Sequence, residues 1–323
     1  MTTPLVSIIT IFRNAPVGFF EAAIDSVFAQ TEPRWELLLV DDGSTDASAD
    51  VARRVAAEHP EQVHVLQHPG GENRGMSASR NLGLSAARGD FIAFLDADDI
   101  YLPEKLERQL DVFARHPDVD IVYGPTLHWW SWSGDPADAA RDHPRRLGAE
   151  PERAVKPPAL IRAFLEDEAD TPATCAVLVR RTAMDGVGGF EPIFVDLYED
   201  QAFFYKLLLR HAAYLEAEAW DRYRRHPDAL CEVRIREGTH SDDTRPTVAR
   251  GRFLAWLEGY LDDAGVTDPG LRRAVRAQRW PFRHPRLYAA AISLRSLARR
   301  ILPRRARTFG RRVVGSSAIR RMS

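Results

Sequence analysis

Cysteine is scarce in this chain. Only Cys175 and Cys231 occur among 323 residues, and they do not form a CxxC pair. This scarcity excludes a disulfide scaffold and a cysteine-based zinc site, and it favours a reducing compartment.

Long hydrophobic runs are also missing, since no stretch reaches the roughly 18 apolar residues of a membrane span, and the N-terminal segment lacks the basic region of a signal peptide. We therefore expect a cytoplasmic protein without a spanning segment.

Acidic residues are absent from residues 269–323, although 16 arginines lie there. An acidic body with a basic tail predicts that the tail meets a phosphate-rich surface, and a solvated helical face is the alternative. Within the tail, residues 287–302 place these apolar side chains on one helical stripe: Leu287, Ala291, Leu294, Ala298 and Ile301. Arg295, Arg299 and Arg300 fall outside the stripe. This pattern favours a helix lying on anionic lipid at the inner face of the membrane, or packing on the body or a second subunit. We expect no nucleic-acid partner, because no aromatic residue interleaves with the arginines from 295 to 307.

The first 126 residues alternate between apolar runs and helical patterns. The apolar runs lie at 5–12, 36–42, 63–66, 91–95 and 121–123, and the helical patterns lie at about 19–30, 46–58, 76–88 and 103–115. This order predicts an α/β fold with a Rossmann-like, mostly parallel sheet flanked by helices. The segment 134–157 is rich in Asp, Pro and Arg, which predicts a loop or lid.

Carboxylates gather where the predicted strands end. Asp41 and Asp42 follow the second run, and Asp96 and Asp98 follow the fourth. Alternate residues of an extended chain point the same way, so an Asp-x-Asp pair can offer two oxygen ligands to Mg²⁺ or Mn²⁺. Carboxylates that merely cap the next helix are the alternative for this short pattern.

Four segments, in this order, resemble the blocks of family-2 inverting glycosyltransferases: VSIITIFRNA, ELLLVDDGSTD, NRGMSASRNLGLSAARGDFIAFLDADD and LYEDQAFFYKLLL. The resemblance covers about residues 4–230 and implies the nucleotide-diphospho-sugar transferase fold. It divides the chain into a catalytic domain, 1–235, and a helical, arginine-rich extension, 236–323. Within the catalytic domain it implies a nucleotide-sugar half, 1–126, and an acceptor half, 127–235.

The resemblance also implies roles on the donor side. Asp42 would bind the nucleobase, with Thr10 near the same pocket, and Arg80 would contact base or phosphate. Asp96 would lie near the ribose and the metal, and Asp98 would be the direct ligand of Mn²⁺ or Mg²⁺. A divalent ion there would stabilise the charge that grows on the diphosphate as the donor bond breaks.

On the acceptor side, the resemblance makes Asp200 the general base for the acceptor hydroxyl, with Glu199 as its supporting neighbour. The local alternative is two acidic residues that favour a helix N-terminus. His226 would be a third metal ligand, and a purely structural histidine is its alternative. Trp129, Trp130 and Trp132 suit either stacking on a sugar ring or packing in the core.

The implied function is metal-dependent single displacement with inversion, from a nucleotide-diphospho-sugar donor to a glycan or lipid-linked acceptor in cell-surface glycan synthesis. Two alternatives share the fold. A nucleotidyltransferase would need a Gly-rich basic loop after the first strand, where TIFRNAPVGF offers one arginine and one glycine. A non-catalytic nucleotide-sugar-binding protein would be expected to have lost the carboxylates, and Asp42, Asp96, Asp98 and Asp200 are all present.

Overall fold

The structure is a computed structural model that describes residues 6–241 and 246–301. By its contacts the chain divides into two compact units, Met1–Arg236 and Glu237–Ser323. The described strands are β1 (Val6–Phe12), β2 (Trp35–Asp41), β3 (Val63–Gln67), β4 (Phe91–Phe94), β5 (Ile100–Tyr101), β6 (Ile121–Tyr123), β7 (Leu127–Trp129), β8 (His143–Pro144), β9 (Arg153–Val155), β10 (Leu178–Arg180), β11 (Ala213–Leu215) and β12 (Asp221–Arg224). The described helices are α1 (Val17–Phe28), α2 (Ser48–Glu58), α3 (Met76–Ala86), α4 (Lys105–Arg115), α5 (Pro136–Ala139), α6 (Ala159–Leu165), α7 (Glu199–Leu208), α8 (Leu230–Arg236), α9 (Val248–Asp263), α10 (Pro269–Arg283) and α11 (Pro285–Ile301).

The first unit is built on an eight-stranded sheet in the order β3-β2-β1-β4-β10-β6-β11-β9. The strands from β3 to β4 pair in parallel, as the alternating pattern predicts. In contrast, β10 pairs antiparallel with both β4 and β6, and β9 pairs antiparallel with β11. The predicted α/β class with a large sheet flanked by helices is therefore confirmed, with antiparallel strands inserted in its second half.

The core follows from the apolar patterns. All seven residues of β1 and of β2 are buried, which fits strands covered by helices on both faces. Helix α1 buries Phe20, Ile24 and Val27, one stripe at helical spacing. Gly83 lets α3 approach β1 closely, because a Cβ there would lie 2.5 Å from Ile9 Cγ2. This approach fixes the helix that carries Arg80.

A second, smaller sheet has the order β5-β12-β7-β8. It takes in part of the segment 134–157, for which the sequence predicts a loop. That prediction is only partly right, because α5, β8 and β9 all form there. Strand β9 is held by pairing of Val155 with Ala213 of β11, a partner far away in sequence that local composition cannot reveal.

The second unit contains helices α9, α10 and α11, as the sequence predicts for the extension. Arg279 of α10 forms an ion pair with Glu258 of α9. Helix α11 ends at Ile301, and on its described part Leu287 is 60% and Ile292 46% exposed. The side chains of the predicted stripe from Leu294 onward, and those of Arg295, Arg299 and Arg300, lie outside the described residues. Within the described ranges, no helix combines the length and the apolar character that crossing a bilayer requires.

Candidate functional site

Strands β1, β2 and β4 run parallel and end at one edge of the large sheet, where the predicted site lies. Asp42 follows β2 there. Its Oδ1 accepts a hydrogen bond of 2.7 Å from the Arg74 backbone N–H, and its Oδ2 accepts one of 3.1 Å from the Gly75 N–H. The loop before α3 is thus folded over Asp42, and His68 Nε2 lies 3.9 Å from the same carboxylate. The nucleobase contact of Asp42 stays a prediction.

Thr10 lies within β1 and is 1% exposed. Its Oγ1 has no hydrogen-bond partner among the described residues. A buried hydroxyl without a partner is costly, so this position is noteworthy in itself. The structure brings Thr10 to the strands that carry the site but leaves almost none of its side chain accessible, and its donor contact stays a prediction.

Arg80 joins two parts of the site that are far apart in sequence. Its side chain is 2% exposed, and it donates to Glu199 Oε1 at 2.6 Å and to Asp96 Oδ1 at 2.8 Å. The guanidinium therefore ties the end of β4 to the first turn of α7. The contact with donor base or phosphate that the resemblance implies stays untested, and the observed partners of Arg80 are protein carboxylates.

We call the contacts of Arg80 with Glu199 and Asp96 the Arg80 bridge. The electrostatics of the three groups explain why they are held together. Burial raises the pKa of Glu199 and the Asp200 charge adds to the rise, while Arg80 opposes both. Burial likewise raises the pKa of Asp96, against the pull of Arg80. Burial alone would lower the pKa of Arg80, but the surrounding carboxylates outweigh it and raise that pKa. A buried cation with buried carboxylates around it is stable only as a unit.

Asp200 lies beside this bridge, in the first turn of α7. Its Oδ1 accepts a 2.6 Å hydrogen bond from the Gln201 N–H. The residue is partly exposed, unlike Glu199, which is 4% exposed. The preceding residue, Tyr198, adopts a left-handed conformation with φ of 68°, which turns the chain into the helix. This arrangement leaves a carboxylate accessible next to a rigid, buried partner, as a general base requires.

Asp98 and His226 meet at the same edge. His226 Nε2 lies 3.1 Å from Asp98 Oδ2, although 128 positions separate them in sequence. An imidazole nitrogen and a carboxylate oxygen at one point form a donor set that suits Mn²⁺. No group of three or more His, Cys, Asp or Glu suited to a metal occurs in the part of the chain that the structure describes. The metal-binding role of Asp98 and His226 stays a prediction.

Asp99, which the sequence reasoning did not assign, and Arg224 hold this corner together. Asp99 is fully buried, its Oδ1 accepts a 2.8 Å hydrogen bond from the Arg224 N–H, and burial raises its pKa. Arg224 Nε donates to the Asp98 carbonyl at 2.7 Å. Its place next to the Asp-x-Asp pair is a sequence signal for Asp99. Its burial, however, depends on the pairing of β12 with β5, which the local sequence does not indicate.

Asn81 of α3 holds the segment around Phe190 in place. Its Oδ1 accepts a 2.7 Å hydrogen bond from the Phe190 N–H, and its Nδ2 donates to the Phe190 carbonyl at 2.9 Å. A Cβ on Gly189 would lie 2.1 Å from that Oδ1. Gly189 thus permits a close approach of its backbone to Asn81.

Comparison with known proteins gives one family. The model of glycosyl transferase family 2 matches residues 7–185. A putative teichuronic acid biosynthesis glycosyltransferase, TuaG of Bacillus subtilis (strain 168), is 41% identical over 108 residues, which are 33% of this chain and 41% of the relative. The putative glycosyltransferase EpsE of the same bacterium is 35% identical over 119 residues, 37% of this chain and 42% of the relative. The chain thus spans less than half the length of these two relatives.

Solved structures share the fold at low sequence identity. S. aureus TarS 1-349 in complex with UDP-GlcNAc superposes with a TM-score of 0.63 at 17% identity, covering 87% of this chain and 74% of that one. The mannosyltransferase PcManGT from Pyrobaculum calidifontis, in complex with GDP-Man and Mn²⁺, gives a TM-score of 0.53 at 19% identity and covers 96% and 84%. At these identities the likeness concerns the fold.

Proposed function

The chain belongs to glycosyl transferase family 2, and from that premise we propose that it transfers a sugar from a nucleotide-diphosphate donor to an acceptor hydroxyl. The observation that carries the proposal is the Arg80 bridge. It joins Asp96, beside the Asp98–His226 pair, to Glu199, beside Asp200. A donor-binding corner and a candidate base are thereby held in one rigid unit, which is what in-line transfer between two bound substrates needs.

On the donor side, Asp42 orients the nucleobase and Asp96 lies by the ribose. Asp98 and His226 would hold a divalent ion together with the diphosphate, and the ion would supply Lewis-acid stabilisation of the leaving group's charge. The 3.1 Å approach of their side chains supports this assignment. Arg224, fixed by its bond to the Asp98 carbonyl, keeps the backbone of that corner in place.

On the acceptor side, Asp200 accepts the proton of the attacking hydroxyl. Glu199 holds no proton-transfer role here, because both Arg80 and burial confine it. With one accessible carboxylate base and no second nucleophile assigned, the expected course is a single displacement with inversion at the anomeric carbon. The relative TuaG, a putative teichuronic acid biosynthesis glycosyltransferase, supports a role in cell-surface polysaccharide synthesis.

The test is a screen of nucleotide-diphospho-sugars with Mn²⁺, followed by NMR of the anomeric proton in the product. We expect nucleoside diphosphate release from one donor class and an inverted anomeric configuration. Formation of nucleoside triphosphate and sugar 1-phosphate when pyrophosphate is added would support the nucleotidyltransferase alternative. Binding of donors without release of any nucleotide, in the presence of acceptor mixtures, would support a non-catalytic binding protein.

We also propose that the basic C-terminal extension brings the protein to the cytoplasmic face of an anionic membrane. The support is the set of 16 arginines without an acid in residues 269–323, together with the exposed Leu287 and Ile292 on α11. Deleting residues 284–323 should abolish flotation with liposomes that contain anionic lipid at low salt. Equal flotation of the full chain and the truncated chain would contradict this.

A further inference from the structure

A row of stacked rings and guanidinium groups lies on the small sheet. Two arginines lie over the ring of Trp129, with Arg222 5.3 Å and Arg224 4.6 Å from its centroid. Arg224 in turn lies 4.3 Å from the centroid of Phe19, whose ring meets Trp132 edge-on at 5.1 Å. We call these five residues the arginine–tryptophan ladder.

Strand pairing builds the ladder. Arg224 of β12 is the register partner of Trp129 of β7, and Arg222 lies two residues earlier on the same face of β12. Except for Arg224, which is 6% exposed, the members are only half-buried. Packing in the core, the alternative that the sequence left open for these tryptophans, would hide their rings. The observed rings keep surface that a ligand can cover.

The positive charges of the ladder are only partly offset, because Asp98 and Asp99 act on Arg224, and Asp142 acts on Arg222, without forming ion pairs with them. Within residues 6–241 and 246–301, neither Arg222 nor Arg224 has a carboxylate oxygen within 4 Å of its guanidinium nitrogens, whereas Arg141 and Arg225 nearby form ion pairs with Asp138 and Glu232. A ring face attracts a guanidinium by only about 0.5–2 kcal/mol. Arg222, which is half-buried over the Trp129 ring, is therefore positioned for an anionic ligand, and the buried Arg224 adds its charge nearby.

The ladder leads to the candidate site. The rings of Phe19 and His226 lie 5.1 Å apart, and Arg224 Nε bonds to the Asp98 carbonyl. The candidate nucleobase residue, Asp42, lies at β2, which is separated from β4 by β1. The ladder lies on the sheet that begins with β5, directly after Asp99. A molecule bound on the ladder would thus lie next to the Asp98–His226 corner, and we place the acceptor there.

We propose that the arginine–tryptophan ladder binds the acceptor and that the acceptor is an anionic saccharide, one that carries carboxylate or phosphate groups. The exposed parts of the tryptophan rings contact the C–H faces of sugar rings, and the guanidinium group of Arg222 binds the anionic groups. The proposal rests on the proposed function for the direction of the acceptor, but the binding itself is measurable without turnover. It assigns acceptor selection to charge as well as to shape.

The experiment measures binding to the full chain by tryptophan fluorescence and calorimetry. Three probes distinguish the sources of charge: trigalacturonate for carboxylates, a glycerol phosphate oligomer for phosphates, and maltotriose as the neutral saccharide. We expect one anionic probe or both to bind more tightly than maltotriose, and their binding to weaken as NaCl is raised. Arg222→Gln should raise the Kd of the anionic probe about tenfold, and Arg222→Lys, which keeps the charge, should raise it less. The control is Arg53→Gln, an exposed arginine on α2 with the same change of charge, and it should leave the Kd unchanged.

Equal binding of maltotriose and the anionic probes would overturn the proposal, as would no binding of any probe or an effect of Arg53→Gln equal to that of Arg222→Gln. Nucleoside diphosphate release by the wild-type chain, measured in parallel, separates the failure of this inference from the failure of the proposed transferase function. Release without anion-selective binding sinks this inference and leaves the transferase function standing. Anion-selective binding without nucleoside diphosphate release from any donor supports the anion-binding ladder and contradicts the transferase function.

Discussion

Replacing Arg80 by methionine removes the cation from the bridge while keeping a long, apolar side chain. In the wild type, Arg80 is 2% and Glu199 5% exposed at their side chains, so Glu199 would lose its charge partner in a buried position. At pH 7 the protein would relieve this by protonating Glu199. Burial already raises the pKa of Glu199 to about 7 in the wild type, so protonation itself adds little. The cost lies in the lost charge-assisted hydrogen bonds of Arg80, since removing one partner of a buried ion pair typically costs about 3–5 kcal/mol. We therefore expect Arg80→Met to lower the free energy of unfolding of the first unit by about 3–4 kcal/mol.

The assay is calorimetric or circular-dichroism melting of four chains: wild type, Arg80→Met, Glu199→Gln and the double variant. For a unit of this size a loss of about 3–4 kcal/mol corresponds to a fall in Tm of about 6–16 °C. The double variant should lose less stability than the sum of the two single variants, by at least about 1.5 kcal/mol, because it has no unpaired buried carboxylate at position 199. Additive losses, within about 0.5 kcal/mol, would refute the bridge as a unit.

Two further predictions concern the base and a histidine. Asp200→Asn should lower kcat by about 10²–10⁴ with the donor Kd unchanged, because a general base acts in the transition state; a changed donor Kd with an unchanged kcat would argue against this role. Burial, then the charges of Arg145, Arg225 and His143, lowers the pKa of His128 to about 3, and His128 Nε2 accepts a 2.9 Å hydrogen bond from Arg145. The unfolded histidine takes up its proton near pH 6.5, so the free energy of unfolding should rise with pH between about 3 and 6.5. His128 contributes at most about 1.4 kcal/mol per pH unit to this rise, and it contributes no pH dependence above about pH 6.5. Urea midpoints at pH 4.5, 5.5 and 6.5 should show a steeper rise for the wild type than for His128→Gln, and parallel curves would contradict the lowered pKa.

The sequence predicts the first half of the sheet well, because each strand from β1 to β4 is a short apolar run bounded by polar turns. The local signal and the global fold agree there. In the second half, β9, β10 and β11 are only three residues long each, and their pairing depends on partners far away in sequence. Such short segments carry too little periodicity to identify, and their direction is set by tertiary packing.

The same division holds for the candidate site. Asp96 and Asp98 are evident from their position at the end of an apolar run. The partners that orient them are not, since Arg80 faces Glu199 across 119 positions and His226 faces Asp98 across 128. From its helix alone, Arg80 could equally have faced solvent or a phosphate. Only packing of α3 against β1, with Gly83 at the contact, turns it toward the two carboxylates.

The most direct test of the account is donor turnover at the Asp98–His226 corner. Nucleoside diphosphate release from the preferred nucleotide-sugar should be measured for the wild type and for Asp98→Asn, each with Mn²⁺ and with excess EDTA. The account predicts release by the wild type with Mn²⁺, its loss in EDTA with recovery when Mn²⁺ is restored, and weakened donor binding with no turnover in Asp98→Asn. Undiminished turnover in EDTA, or full activity of Asp98→Asn, would contradict it.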